Sequence, residues 1–175
     1  MTKINIVLFM PEIPGNTANI IRTCVGLNAR LHLIKPYGFD LNLAEKVFKR
    51  GSTNYVNDVE LIEYENFEEF EDKNDNSAFY MLTRHGVNTY DQIDITKHDK
   101  NIFYIFGRES TGIEKNILKK YKDHTFRIPM DKKMRSLNLS NCAMLVAFDG
   151  ARQLGFEGLS FEEPHKIDFW KEGEK

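Results

Sequence analysis

The chain has few of the residues that mark a cross-linked or membrane-spanning protein. Only two of its 175 residues are cysteines, Cys24 and Cys142, and both stand among apolar neighbours in segments with a helical pattern. Two reduced, buried thiols are typical of a protein that folds without disulfide bonds in a reducing compartment. No apolar run approaches the roughly 20 residues that a membrane-spanning helix needs. We therefore expect a cytoplasmic protein with no membrane partner.

Histidines are few and scattered, which argues against a metal centre. The five histidines show none of the close spacings that hold zinc. No Ser-His-Asp pattern is recognisable, and neither cysteine lies in a motif that would activate it. The sequence therefore predicts no metal site and no covalent catalysis.

The net charge is also small, but the charges are unevenly distributed. The chain has 24 bases and 26 acids, which gives a net charge of −2. Residues 58–75 hold nine acids and one base, and residues 157–175 hold six acids and three bases. The remainder therefore carries 20 bases and 11 acids, an excess that permits a basic face for a polyanion. Solvated charges that fall unevenly by chance would explain the same pattern.

Short β-branched-rich runs alternate with helical patterns along the chain. Strands are predicted at residues 4–9, 31–35, 59–64, 78–83, 102–106 and 125–128. Helices are predicted at residues 17–27, 43–50, 66–73, 113–121 and about 140–154. The alternation predicts an α/β fold with a mostly parallel six-stranded sheet and helices on both faces. We place one domain at residues 1–158 and an acidic tail at residues 159–175.

Three loops that follow predicted strands contain the polar residues expected of a binding site. They are Pro11-Glu-Ile-Pro-Gly-Asn-Thr17, Phe106-Gly-Arg-Glu-Ser-Thr-Gly112 and the long segment 128–141. Ligands of parallel sheets collect at such carboxyl ends. The third loop places Ser136, Asn138, Ser140 and Asn141 ahead of an apolar helix, although one capping side chain would be enough. The second loop lacks both the Gly-Lys-Ser/Thr ending and the G-x-G-x-x-G pattern of nucleotide-binding loops, and alone it is equally explained as a turn.

The first loop leads into a helix that carries an arginine. Asn16 stands where an N-cap residue is expected, and Arg22 falls off the main apolar face of this helix. A rigid loop followed by a surface arginine would explain these residues equally well.

In combination and in this order, the loops resemble those of the SPOUT superfamily of RNA methyltransferases. The matching segments are Pro11-Glu-Ile-Pro-Gly-Asn-Thr-Ala-Asn-Ile-Ile-Arg22, Phe106-Gly-Arg-Glu-Ser-Thr-Gly112, Arg127-Ile-Pro-Met130, Arg135-Ser-Leu-Asn-Leu-Ser-Asn141 and Arg152-Gln-Leu-Gly155. The resemblance covers residues 3–158 and is strong to the small single-domain branch that 2′-O-methylates the wobble nucleotide of tRNA. It implies a C-terminal deep trefoil knot that binds S-adenosylmethionine.

The resemblance also implies which residues form the site. The positions that match cofactor contacts are Leu82, Gly107, Ile128, Ser136 and Leu137. The key basic residue of the family corresponds to Arg22, which is either a base made competent by an RNA phosphate or a cation that orients that phosphate. Asn16, Glu109 and Asn141 are candidates for shaping the catalytic site. Glu109 and Asn141 are equally explained as a structural ion pair and a helix cap.

Members of this family are homodimers, and their RNA substrate is expected to cross the subunit interface. The apolar segment 142–148 of this sequence is consistent with burial against a partner subunit. The candidate RNA-binding residues are Lys46, Lys49, Arg50, Lys115, Lys119 and Arg135. Two other functions stay open: 2′-O-methylation at another tRNA or rRNA position, and a non-catalytic RNA-binding module that kept the fold.

Overall fold

One parallel β-sheet forms the centre of the protein in the computed structural model, which describes residues 4–97 and 99–162. Its strands are β1 (Ile4–Phe9), β2 (Arg30–Ile34), β3 (Leu61–Tyr64), β4 (Ala78–Leu82), β5 (Asn88–Thr89), β6 (Ile102–Phe106) and β7 (Thr125–Arg127). They lie in the order β3-β2-β1-β6-β4-β7-β5, and each of these neighbouring pairs is parallel. The predicted α/β fold with a parallel sheet is confirmed.

The prediction of six strands is wrong, because the sheet has seven. The missed strand, β5, has only two residues, both polar, and it pairs with β7 at the edge of the sheet. Gly86 allows the chain to enter this strand, since a Cβ there would collide with the backbone of Phe126 and Arg127. A strand this short has no hydrophobic alternation by which a sequence could indicate it.

Helices pack on both faces of the sheet, as predicted. They are α1 (Pro14–Gly26), α2 (Leu41–Gly51), α3 (Phe67–Lys73), α4 (Lys115–Lys120) and α5 (Leu139–Gln153). The core residues of α1, α2 and α5 cluster on one face, and those of α3 and α4 cluster on the other.

Strand β1 shows why its sequence forms the centre of a two-sided core. Ile6 and Leu8 belong to the cluster beneath α1, α2 and α5, whereas Val7 and Phe9 belong to the cluster beneath α3 and α4. Successive side chains of a strand point to opposite faces, so a strand covered on both sides is apolar throughout. Each such side chain, fully buried, contributes about 1.5–3 kcal/mol to folding.

The strand register brings three loops together at one edge of the sheet. Leu82 is paired with Phe106 on one side and with Phe126 on the other. The loops that follow β4, β6 and β7 therefore leave the sheet side by side. This is the carboxyl edge, where ligands of parallel sheets are expected.

None of the helices in the described ranges is long and apolar enough to cross a membrane. Residues 163–175 of the predicted acidic tail lie outside the described residues.

Candidate functional site

A cleft of about 340 Å³ opens at the carboxyl ends of β4, β6 and β7. Its walls come from the loops after these strands and from the first turns of α1 and α5. The volume lies near the lower end of the roughly 300–1,000 Å³ typical of small-molecule sites. The three loops singled out in the sequence therefore converge on one cavity, although they are far apart along the chain.

All five predicted cofactor residues line this cleft. They are Leu82, Gly107, Ile128, Ser136 and Leu137. Gly107 has a steric reason to be glycine, because a Cβ at this position would overlap the backbone of Gly112 and Ile113. A larger residue would therefore force open the turn that forms the cleft wall.

The loop after β6 is a tight turn that presents its polar residues to the cleft. Main-chain hydrogen bonds join Arg108 and Gly112 in both directions, at 3.0 and 3.3 Å. Gly112 adopts a φ of +77°, a conformation that glycine takes without strain. Glu109, Ser110 and Thr111, which lie inside the turn, all line the cleft.

Glu109 joins this turn to the start of α1. Its carboxylate accepts hydrogen bonds from the backbone N–H of Glu12 at 2.9 Å, the N–H of Ile13 at 3.3 Å and the side-chain amide of Asn16 at 2.9 Å. The alternative of a structural ion pair for Glu109 is wrong, since its described partners are uncharged N–H groups. These donors precede or begin a helix, so a carboxylate is electrostatically suited to them.

Asn16 is not the N-cap of α1, contrary to the sequence prediction. The N-cap position is occupied by Ile13, which offers no side-chain cap, and Pro14 follows at the first helical position. Asn16 lies in the first turn and is buried, with 7% of its surface exposed. Its amide instead bridges Glu109 and a side chain from the loop before α5.

A second acidic side chain crosses between the same two loops in the opposite direction. The Glu12 carboxylate accepts hydrogen bonds from the Ser110 hydroxyl at 2.7 Å and from the Ser110 N–H at 2.8 Å. These hydrogen bonds hold the pKa of Glu12 below its usual value. Glu12 and Glu109 thus brace the two loops reciprocally, which sequence reasoning missed because the partners are about a hundred residues apart.

Asn138 connects the third loop to this network. Its side-chain oxygen accepts hydrogen bonds from the backbone N–H of Ser140 and Asn141, at 2.9 and 3.3 Å, and so caps α5. Its amide donates to Asn16 at 3.0 Å. The cap alternative for Asn141 is therefore wrong, because Asn141 receives the cap. The cluster of polar side chains before α5 did indicate in the sequence that this segment contributes to the site.

Arg22 and Asn141 lie in an adjoining groove rather than in the cleft. Both line a shallow depression of about 350 Å³ between α1 and α5, together with Met144 and Phe148 of α5. Arg22 is exposed on α1. The four catalytic candidates are therefore divided, with Asn16 and Glu109 in the cleft wall and the other two in the groove.

The predicted RNA-binding residues are all exposed but do not lie on one face. Lys46, Lys49 and Arg50 belong to α2, whereas Lys115 and Lys119 belong to α4 on the opposite face of the sheet. Arg135 is exposed in the loop that borders the cleft. A single straight RNA segment cannot meet both basic helices of one subunit along one face.

The cleft wall also contains residues that were not predicted as site residues, and Arg84, His85 and Cys142 are among them. Arg84 and His85 follow β4 at the rim, and the Arg84 Nε–H donates to the imidazole of His85 at 3.2 Å. Cys142 contributes a thiol, and burial raises its pKa so that it stays uncharged. Within residues 4–97 and 99–162 no group of acidic, histidine or cysteine side chains could hold a metal ion.

Comparison with known proteins gives consistent matches over most of the chain. A protein from Listeria monocytogenes named tRNA (cytidine(34)-2′-O)-methyltransferase is 42% identical over 161 residues, which are 92% of this chain and 94% of that protein. A solved structure of an RNA methyltransferase from Bacillus anthracis is 40% identical, with a TM-score of 0.84 over 91% of this chain and 99% of its own.

A further solved structure was described for its insight into the 2-OH methylation of C/U34 on tRNA. It is 29% identical and has a TM-score of 0.80, covering 89% of this chain and 98% of its own. The sequence profile of the SpoU rRNA Methylase family matches residues 3–148. That span contains every described residue that lines the cleft or the groove. The chain belongs to the SpoU methylase family, within the SPOUT fold of RNA methyltransferases.

Proposed function

We propose that this protein transfers the methyl group of S-adenosylmethionine to the ribose 2′-hydroxyl of the wobble nucleotide, cytidine or uridine, in tRNA. The observation that carries the proposal is the convergence of three distant loops on one cleft beside a groove that exposes an arginine. The names of the most similar relatives support the choice of substrate.

In this proposal the cleft holds the cofactor. Leu82, Gly107, Ile128, Ser136 and Leu137 provide apolar contact and small side chains, together with main-chain groups that hydrogen-bond the adenine. S-adenosylmethionine supplies a methyl group that is already activated on its sulfonium. The protein then has to align the 2′-oxygen with that methyl group and help it lose a proton.

Arg22 is the residue assigned to the RNA side of the reaction. Its guanidinium lies in the groove that adjoins the cleft, where it can bind a phosphate next to the target ribose. A guanidinium gives up its proton with difficulty, so we assign it the orientation of phosphate rather than proton removal. Asn16 and Glu109 fix the start of its helix, and Asn141 lies beside it in the groove.

The active form is proposed to be a homodimer. Helix α5 exposes Met144, Leu145 and Phe148, at 53%, 39% and 41% of their surface, beside the Arg22 groove. Apolar side chains of this size on one helix face are suited to burial against a second copy. RNA that crosses the interface would then meet residues of both subunits.

The resemblance to the same family also supports proposals about the chain topology and the domain boundaries. We propose that the segment from β7 to α5 forms a deep trefoil knot, that the methyltransferase domain occupies residues 1–158 and that residues 159–175 are an appended acidic tail. A substrate such as tRNA implies action in the cytoplasm.

The test measures methyl transfer from labelled S-adenosylmethionine to tRNA that lacks the wobble mark, followed by mapping of the 2′-O-methyl position. We expect Arg22→Ala to abolish transfer, Arg22→Lys to retain a part of it, and both variants to keep the cofactor affinity of the wild type. Lys100→Ala is the matched control, because it removes one exposed positive charge next to the amino end of β6. Full activity of Arg22→Ala would exclude the assigned role.

A second candidate keeps the chemistry and changes the target to another tRNA position or to rRNA, which the family description favours. Mapping of 2′-O-methyl groups in RNA from a deletion strain separates the two targets. The non-catalytic alternative requires that calorimetry detect no binding of S-adenosylmethionine.

A further inference from the structure

Two basic helices lie on opposite faces of the sheet, and their electrostatic surroundings differ. On one face, α1 and α2 together carry four bases and one acid, Glu45. On the other face, α3 and α4 together carry four bases and four acids. The surface of α1 and α2 therefore has an excess of three positive charges, whereas that of α3 and α4 has none.

One lysine of α4 is offset by a direct contact with an acidic neighbour, and further acids lie on the adjacent helix. Lys120 forms an ion pair with Glu71 of α3 at 2.5 Å, and the Tyr121 hydroxyl donates to the same carboxylate. Glu114, at the N-cap of α4, precedes Lys115, and its carboxylate pairs with Arg108 at 3.2 Å. A phosphate chain approaching α4 would meet the exposed acids of α3 at the same time, and the repulsion would cancel much of the attraction.

The bases of α2 have much weaker competition. Lys46 and Arg50 are exposed, and Lys49 forms an i,i+4 pair with Glu45 in which both side chains are more than half exposed. Exposed pairs of this kind contribute little to stability, so a phosphate can replace Glu45 readily. Three cations within five residues of one helix form a concentrated positive charge that is suited to a nucleic-acid backbone.

Helix α2 is also adjacent to the helix that carries Arg22. Gly51, the last residue of α2, packs so closely on Ala18 of α1 that a Cβ on the glycine would lie 2.6 Å from the Cβ of Ala18. Arg22 follows Ala18 by one helical turn on α1 and is exposed. The bases of α2 and Arg22 therefore belong to neighbouring helices on one face of the sheet.

We propose that Lys46, Lys49 and Arg50 of α2 form, with Arg22, the surface that binds the phosphate backbone of the RNA substrate, and that α4 lies outside this surface. This proposal rests on the proposed function, since it concerns the RNA of that reaction. Both basic helices were predicted from the sequence to bind RNA. In this proposal α2 contacts RNA, whereas the positive charge of α4 is balanced by acids.

The experiment compares two triple variants that remove the same number of positive charges. The first is Lys46→Gln/Lys49→Gln/Arg50→Gln on α2. The second is Lys115→Gln/Lys119→Gln/Lys122→Gln on and just after α4, where the three side chains are also exposed. Binding of the substrate tRNA is measured between about 50 and 200 mM salt, the range over which phosphate contacts weaken strongly. Cofactor affinity is measured for both variants to verify that each is folded.

We expect the α2 variant to bind tRNA roughly 10- to 100-fold more weakly near 0.15 M salt, with a logarithmic salt dependence shallower by about two to three units. The α4 variant should lose less than about threefold, which is the general effect of a lower net charge. Lys46→Gln alone should give roughly a third of the logarithmic loss of the α2 triple variant.

Equal losses in the two triple variants, or a larger loss in the α4 variant, would overturn the assignment of the surface. Wild-type protein that binds S-adenosylmethionine but transfers no methyl to any tRNA would contradict the proposed function itself. The two failures are therefore distinguishable, because the first leaves wild-type transfer intact.

Discussion

Replacement of Glu109 by glutamine removes one acceptor oxygen from a site that now satisfies three N–H donors. The carboxylate receives Glu12 N–H on one oxygen, and Ile13 N–H and the Asn16 amide on the other. A glutamine side chain can keep its oxygen toward Ile13 and Asn16, but its NH₂ group then faces the N–H of Glu12. One donor loses its partner and two donors meet.

The magnitude follows from these contacts. A hydrogen bond to a charged group contributes roughly 1.5–3 kcal/mol, and partial exposure of this site places the loss near the lower end. We expect Glu109→Gln to lower the free energy of unfolding by about 1.5 kcal/mol, and Glu109→Ala, which removes all three contacts, by about 3 kcal/mol. For a domain of this size, the corresponding fall in Tm is roughly 2–4 °C per kcal/mol.

Urea denaturation measures the stability, and a double-mutant cycle tests the specific contact. Glu109→Ala and Asn16→Ala should be non-additive, with a coupling free energy of about 1 kcal/mol, since the two side chains share a hydrogen bond that each substitution removes. Glu109→Ala and Asn141→Ala serve as the control pair, because Asn141 lies in the separate groove. Their effects should add within about 0.5 kcal/mol.

Measurements of transfer activity and cofactor affinity distinguish a carboxylate that braces the loops from one that acts on the substrate. If Glu109 braces the loops, transfer activity and cofactor affinity should decrease together with stability, and most in Glu109→Ala. A Glu109→Gln variant with wild-type stability, together with strictly additive effects of Glu109→Ala and Asn16→Ala, would refute the reasoning. Complete loss of turnover in that stable variant would instead indicate direct participation of the carboxylate in the reaction.

Three other expectations concern separate parts of the molecule. Gly107→Ala should abolish S-adenosylmethionine binding in calorimetry, because the added Cβ overlaps the backbone of the cleft wall; unchanged affinity would contradict a cofactor site there. Asn138→Ala should destabilise the protein by about 1 kcal/mol through loss of the α5 cap, whereas Asn138→Asp should retain most of that stability. Burial lowers the pKa of His32 to about 4, below the 6.5 of an exposed histidine. Between these two pH values the unfolded chain binds a proton at His32, whereas the folded chain does not. The free energy of unfolding should therefore fall by up to about 3 kcal/mol as the pH decreases from 6.5 to 4, and a His32→Gln variant should lack this part of the pH dependence.

The parts of the fold that are strongly patterned could be predicted from the sequence. Strands β1 and β6 begin and end where their apolar runs do, because both are buried on two faces and contain no polar interruption apart from Asn5. That asparagine was still compatible with a strand, since its side chain donates to the backbone of Ile102 at 3.0 Å. Local hydrophobic pattern is a sufficient signal wherever burial is continuous.

The contacts that define the site could not be predicted in the same way. The start of α1 has no cap of its own, and its acceptor comes from a residue 93 to 97 positions away. Ser, Thr, Asp and Asn are the usual capping residues, and Asn16 is the nearest of these to the start of α1. The sequence therefore indicated Asn16 as the cap. Strand β5 was missed for a related reason, because it is defined by its partner β7 and not by its own two residues.

These long-range contacts link the proposed cofactor cleft to the proposed RNA surface. Glu109 in the cleft wall holds Asn16 in the first turn of α1, and Asn138 joins the same turn to the start of α5. Arg22 lies on α1 less than two turns beyond Asn16, next to the α5 residues of the groove. A rigid helix transmits a shift at its first turn to the rest of its length, so the loops that shape the cleft also set the position of the arginine. The polar residues before α5 consequently serve two structural purposes, since they form part of the cleft wall and align the two helices that border the groove.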